Sequence, residues 1–281
     1  MKKNATIICF LLCIFLTAKG EDNKIVTTKP EPLPEQEFTF PSYTEYTLKN
    51  GLKVFIIEDN EQPTVTIQLL VAGGTSVDGE KPGIADMTAE LLTKGTKKYN
   101  ALELAQKLDG VGASINASAN VDYITVSGGS LTKHLNLLID AFSEVVLRPS
   151  FPGKEFDKLV PKMLAGIQEE KASPGTLAAN LAKKVIYGDT HPYALQPSEA
   201  SIKEIKNDDI ENYYKNYFKP NNASIAIVGD VKPKEILDKL EKALGTWKKG
   251  DVPKIKIPPA KPLPIGVYFV NRPASVQSSI L

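Results

Sequence analysis

Histidine is nearly missing from this chain of 281 residues, which contains only His134 and His191. A helix that grips zinc through two imidazoles needs them about one turn apart, and these two are far too distant in sequence to share a turn. Cysteine is as scarce. Cys9 and Cys13 both fall in an apolar N-terminal run, so neither a disulfide framework nor a thiolate nucleophile is expected once that run is removed. Arginine occurs only at Arg148 and Arg272 among 34 basic residues, leaving few of the planar forks that clamp phosphate. The net charge is only +1, and the lysines form no stripe. Nucleic acid and the membrane surface are therefore set aside as partners. There is no Gly-x-Ser-x-Gly elbow, no phosphate-cradling Gly-x-x-x-x-Gly-Lys-Ser/Thr loop and no Cys-x-x-Cys pair.

What is present suffices for one large or two modest domains, with 42% hydrophobic and 24% charged residues. Lys2 and Lys3, the apolar run from Ile7 to Leu16 and the stretch Thr17-Ala18-Lys19-Gly20 read as an export signal over residues 1–20. The run is too short for a permanent span, so no stable transmembrane segment is expected after cleavage. An uncleaved anchor is the alternative. Cys13 offers a lipid-anchored form, although Phe10-Leu11-Leu12 lacks the small residues usual before such a site. Residues 21–40 are rich in Pro, Glu, Lys and Thr and predict a flexible tether.

From Tyr43 onward, short alternating runs at 43–48, 52–58 and 64–71 predict strands, with Asn50-Gly51 making the first two a hairpin. Helices are expected at 84–93, 101–108, 131–147, 154–171, 176–186, 208–217 and 233–244. Further strands are expected at 113–119, 123–128 and 223–228. Strands and helices mix without a βαβ beat, which predicts an α+β class with two layers. The Pro- and Lys-rich stretch 249–264 reads as a linker closing a domain of residues 41–248. Strands at 266–270 and 277–281 would then open another domain over residues 265–281, cut at its beginning.

Several motifs occur in one order: Leu48-Lys49-Asn50-Gly51-Leu52-Lys53-Val54, Pro82-Gly83-Ile84-Ala85, Lys94-Gly95-Thr96, His191-Pro192-Tyr193, Tyr217-Phe218-Lys219-Pro220-Asn221-Asn222-Ala223 and Ile227-Val228-Gly229-Asp230. In this order the chain resembles the N-terminal half of the pitrilysin/insulinase family of inverted zinc metallopeptidases, which includes the mitochondrial processing peptidases. Val270 to Ser279 resembles the opening of that family's second half. The resemblance implies a mostly antiparallel sheet covered by helices, of the mitochondrial-processing-peptidase-like metallohydrolase type.

It also implies where a zinc site would lie. Active members carry His-x-x-Glu-His on the helix between the Pro-Gly and Lys-Gly-Thr motifs, two imidazoles holding zinc and the Glu activating its water. The flanking motifs place Asp86 at the first His, Ala89 at the Glu and Glu90 at the second His, within Asp86-Met87-Thr88-Ala89-Glu90. Counting back from Ala172-Ser173-Pro174 puts Gly166 at the remaining ligand position, with Glu169 and Glu170 nearby but out of register. The resemblance therefore implies a degenerate metal site, no catalytic residue and no cofactor, zinc being expected only in an active partner. Asp86 and Glu90 share a helix face, yet two carboxylates are few for a hard cation.

His191 has two readings, substrate contact or a loop imidazole holding backbone, and the second is favoured. Tyr193 shares that assignment. His134 reads as a surface or boundary residue, and the sequons at Asn116 and Asn222 carry no assigned function.

The leading expectation is a non-catalytic homologue exported to a Gram-negative periplasm, pairing as a heterodimer with a zinc-bearing homologue in peptide or protein degradation. A peptide-binding scaffold unconnected with proteolysis is the alternative. A third, weaker reading is an enzyme using Asp86 and Glu90 in an unrelated reaction.

Overall fold

The computed structural model describes Thr39 and residues 41–271. The expected leader with Cys9 and Cys13, nearly all of the tether, Arg272 and the expected strand at 277–281 lie outside the described residues.

Strands β1 (Thr44–Thr47) and β2 (Lys53–Glu58) form the hairpin that Asn50-Gly51 predicts, with Thr44 opposite Ile56. Gly51 takes a φ of 85°, a left-handed conformation that a β-carbon would make costly. Asn50 turns its side chain inward, and its Nδ2 donates to the carbonyls of Leu244 at 2.8 Å and Trp247 at 3.2 Å. The turn thereby also satisfies the end of helix α8 (Pro233–Leu244).

Strand β3 (Thr64–Ala72) shows why one face of the sheet is covered. Val65, Ile67, Leu69 and Val71 are buried, whereas Thr64, Thr66 and Gln68 are exposed, the period-two pattern of a sheet with one wet side. Strands β4 (Ser114–Ala119), β5 (Tyr123–Leu131) and β6 (Ala223–Gly229) complete six strands in the order β1-β2-β6-β3-β5-β4. Only β2 and β6 run parallel, and a parallel pair needs a long crossover. Here the crossover contains most of the helices. Strands β1 and β4 are the sheet's edges.

The helices are α1 (Ile84–Leu92), α2 (Ala101–Asp109), α3 (Leu135–Leu147), α4 (Gly153–Ala172), α5 (Pro174–Tyr187), α6 (Glu199–Glu204), α7 (Asn207–Tyr217) and α8. A capping box opens α2: Asn100 Oδ1 accepts from the Glu103 amide, and Glu103 Oε2 accepts from the Asn100 amide. Helix α3 lies over β5 where Gly128 leaves room, since a β-carbon there would come within 3.1 Å of Leu138 Cδ1. Helix α1 packs against β4 and α7. The result is the α+β arrangement expected from the sequence, a mostly antiparallel sheet covered by helices.

Three local expectations are corrected. The helix expected from residue 131 starts at Leu135, because Leu131 still pairs with Thr64 and Thr132–His134 form a 3-10 turn. Helix α6 was not anticipated; its six residues are too few for a periodic signal, and it is held by Ser198 Oγ accepting from the Ser201 amide. Gly266–Val270 is not a strand. Ile265, Val267 and Phe269 are 108%, 93% and 81% exposed, and without a pairing partner an alternating pattern makes no ladder.

Candidate functional site

The Gly-rich loop ahead of α1 is tied to the β4–β5 turn by its own backbone. The amides of Gly73, Thr75 and Ser76 donate to the carbonyls of Asp122, Asn120 and Val121 at 2.8, 2.9 and 2.8 Å. From this loop Asp78 reaches the first turn of α1. Its Oδ2 accepts from the Gly83 amide at 2.8 Å and its Oδ1 from the Ala85 amide at 3.2 Å, satisfying two of the donors that a helix start leaves free. Burial dominates these bonds and lifts the Asp78 carboxyl to about 7, with the charge of Asp86 adding to the rise.

Helix α1 is buried on all sides but one. Only Asp86 and Glu90 are half-exposed; Ile84, Ala85, Met87, Thr88, Ala89, Leu91 and Leu92 are buried. One turn apart, the two carboxylates share a face, and that face forms one wall of a cleft of about 570 Å³. Burial, then Glu170 and Glu90, raises the Asp86 carboxyl to about 6.

The opposite wall is α4, which presents Lys162, Met163, Gly166, Ile167 and Glu170, a set at helical spacing. Ser173, held extended by the following Pro174, ends α4 and caps α5 by accepting from the Thr176 amide. The remaining walls come from residues 192–197 and from the sheet edge itself, Ala117 to Ala119 of β4 with Asn120 and Val121 beyond it. Among the described residues β4 pairs with β5 alone, so the outer edge of that strand is unpaired beside the cleft.

The structure thus brings Asp86, Glu90 and Gly166 together at one cleft. Ala89 is on the same helix but buried, at 1% exposure. A β-carbon at Gly166 would meet nothing within 4 Å. Tyr193 also lines the cleft, and its hydroxyl donates to Asp122 Oδ1 at 2.6 Å. His191 does not line it. The ring is 4% exposed, with Nδ1 accepting from the Tyr193 amide at 3.1 Å and Nε2 2.9 Å from the Pro258 carbonyl. Since Nδ1 accepts, Nε2 carries the proton and donates to Pro258. His191 holds backbone. His134 stands half-exposed at the start of α3.

Sequence reasoning missed Asp78, Lys162 and Asp122 at this site. Lys162 had a usable signal, standing one turn before Gly166 on the same helix. Glu170 was set aside as out of register, yet one turn past Gly166 it faces the cleft.

The donors present do not suit a zinc ion. No imidazole lines the cleft, and Asp78 is committed to backbone amides. Glu90 Oε1 accepts from Lys162 Nζ at 2.9 Å, with Lys94 Nζ 4.0 Å from its Oε2. No group of three or more His, Cys, Asp or Glu side chains among the described residues is placed to hold a metal ion.

A helix-covered, mostly antiparallel sheet with a cleft between its edge strand and α1 is the frame of an inverted-metallopeptidase domain, and in this one carboxylates and a glycine, but no histidine, line the cleft. The profile of the family described as Insulinase (Peptidase family M16) matches residues 53–194, and that of the Peptidase M16 inactive domain matches residues 204–281. The chain belongs to the M16 peptidase family.

It is 26% identical over 207 residues to a Bacillus subtilis protein named uncharacterized zinc protease YmxG, covering 72% of this chain and 50% of that protein. It is 27% identical over 205 residues to a Helicobacter pylori protein named non-peptidase homolog YmxG, covering 72% of this chain and 48% of that one. The crystal structure of a peptidase M16 inactive domain from Pseudomonas fluorescens superposes with a TM-score of 0.73 at 30% identity, covering 79% of this chain and 54% of that chain. The chain spans about half the length of these relatives. The two histidines lie far apart in sequence, so this chain carries no His-x-x-Glu-His segment, in keeping with its match to the inactive-domain profile and its similarity to a relative named a non-peptidase homolog.

Proposed function

We propose that this chain is the non-catalytic member of an exported peptidase assembly. It supplies a wall that holds extended peptide, while a zinc-bearing homologue supplies the chemistry. The observation behind this reading is that one cleft combines the unpaired edge of β4 with a donor set unsuited to metal. A peptide added to that edge would satisfy its free backbone groups and run past Asp86 on the facing wall. Asp86, Ala89, Glu90 and Gly166 are, on this reading, the positions of a lost metal site, and Tyr193 is a contact for bound peptide.

The leader over residues 1–20 would deliver the assembly to the periplasm. No helix among the described residues is long and apolar enough to cross a membrane. The tether at 21–40, the folded domain at 41–248, the linker at 249–264 and a related second domain beginning at 265 complete the proposed organisation.

The test is to express the full-length protein with a zinc-bearing M16 homologue from the same organism, and each alone. Peptidase activity and a larger species on size exclusion that both need this chain support the proposal. Activity and elution unchanged by its omission overturn it. The second reading, a peptide-binding scaffold, is favoured by one fact: the cleft and the free edge are both supplied by this chain. Peptide affinity equal with and without the homologue would select it.

A further inference from the structure

The Pro- and Lys-rich stretch 249–264 has the composition of a free linker, but it is fastened to the domain at its start, at Pro258 and toward its end. At its start, Asn221 Nδ2 donates to the Gly250 carbonyl at 3.0 Å and Asn221 Oδ1 accepts from the Gly250 amide at 3.2 Å. Toward its end, the Lys261 amide donates to the Tyr187 carbonyl at 3.0 Å and the Leu263 amide to the Val185 carbonyl at 2.8 Å. Those carbonyls belong to the last turn of α5, where a helix leaves its acceptors unused. Gly188, at φ 92°, lets the strap lie close, since a β-carbon there would stand 2.8 Å from the Lys261 carbonyl oxygen. Between these attachments sits the bond from His191 Nε2 to the Pro258 carbonyl.

We propose that His191 is a latch that couples this strap to the wall of the cleft. The imidazole stacks on Tyr187 with ring centroids 5.1 Å apart and meets the edge of Tyr193 at the same distance. Both ring nitrogens are committed, Nε2 to the strap and Nδ1 to the amide of Tyr193. Tyr193 in turn lines the cleft and holds Asp122 in the turn after β4.

Lifting the strap leaves a buried N–H without an acceptor, a state the ring relieves only by moving. Moving the ring takes the acceptor away from the Tyr193 amide. The coupling is reciprocal, so displacement of Tyr193 must loosen the strap by the same free energy. The strap and the cleft wall therefore shift together, whatever the cleft holds.

Hydrogen exchange on the full chain, read at single amides, tests both directions. His191→Ala is expected to speed exchange at Lys261 and Leu263 at least tenfold along with Tyr193, leaving the β3 amides unchanged. Lys261→Pro removes a strap donor that makes no bond to the ring itself and is expected to speed exchange at Tyr193 at least threefold. Protection at Lys261 and Leu263 unchanged in His191→Ala would overturn the latch. So would unchanged protection at Tyr193 in Lys261→Pro, which also decides the matter if His191→Ala loosens the sheet as a whole.

Discussion

Glu90 Oε1 lies 2.9 Å from the ammonium of Lys162, so an ion pair joins α1 to α4 across the mouth of the cleft. These are the two helices on which the family resemblance places the metal ligands. A cationic side chain thus makes a link between them that needs no metal. Both partners remain partly exposed, at 37% for Glu90 and 66% for Lys162, which bounds what the pair can contribute.

Lys162→Met is accordingly expected to change stability by less than about 1 kcal/mol, the range of exposed ion pairs. Urea unfolding measures it. A loss of several kcal/mol would show that the pair, and not the surrounding packing, holds the two helices together.

Gly166 interrupts a helix of 20 residues where a β-carbon would meet nothing. Gly166→Ala should therefore stabilise the protein, by up to about 1 kcal/mol from helix propensity alone. A shift of the urea midpoint to lower concentration would mean that the site is closed and not an open face of the cleft.

How much of this was legible in the sequence depends on how local the cause is. The hairpin at Asn50-Gly51, the burial alternation of β3 and the span of α8 follow from neighbouring residues, and each falls where expected. The parallel pairing of β2 with β6 does not, because Lys53 and Ser224 meet only after the intervening helices fold between them. At the cleft, Asp86, Glu90 and Gly166 could be placed by motif and helical spacing. Asp78 could not, because its role is fixed by loop backbone that carries it to the Gly83 and Ala85 amides. Lys162 pairs with a residue 72 positions away. His191 was readable as a holder of backbone, but Pro258 as its partner was not.

The carboxyls of Asp78 and Asp86 give stability a distinctive pH dependence. Their values of about 7 and about 6 lie above the ordinary 3.8, so the folded state binds their protons more tightly than the unfolded chain does. Their contribution is full below about pH 4 and is lost as pH rises through 6 and 7. Asp78→Asn cannot ionise and should remove part of this fall, about 2 kcal/mol between pH 5 and pH 8. Urea unfolding at the two pH values reads it, and a variant with the native slope would contradict the assignment.

The central claim, that this cleft keeps the frame of a zinc site without its ligands, is tested most directly by metal content. The native chain and the Asp86→His, Glu90→His, Gly166→Glu triple variant would be dialysed against zinc and then against metal-free buffer, and zinc measured by atomic emission. Zinc far below one ion per native chain and close to one per variant chain is expected. A native chain that retains one zinc per molecule, and loses it on Asp86→Ala, would contradict it.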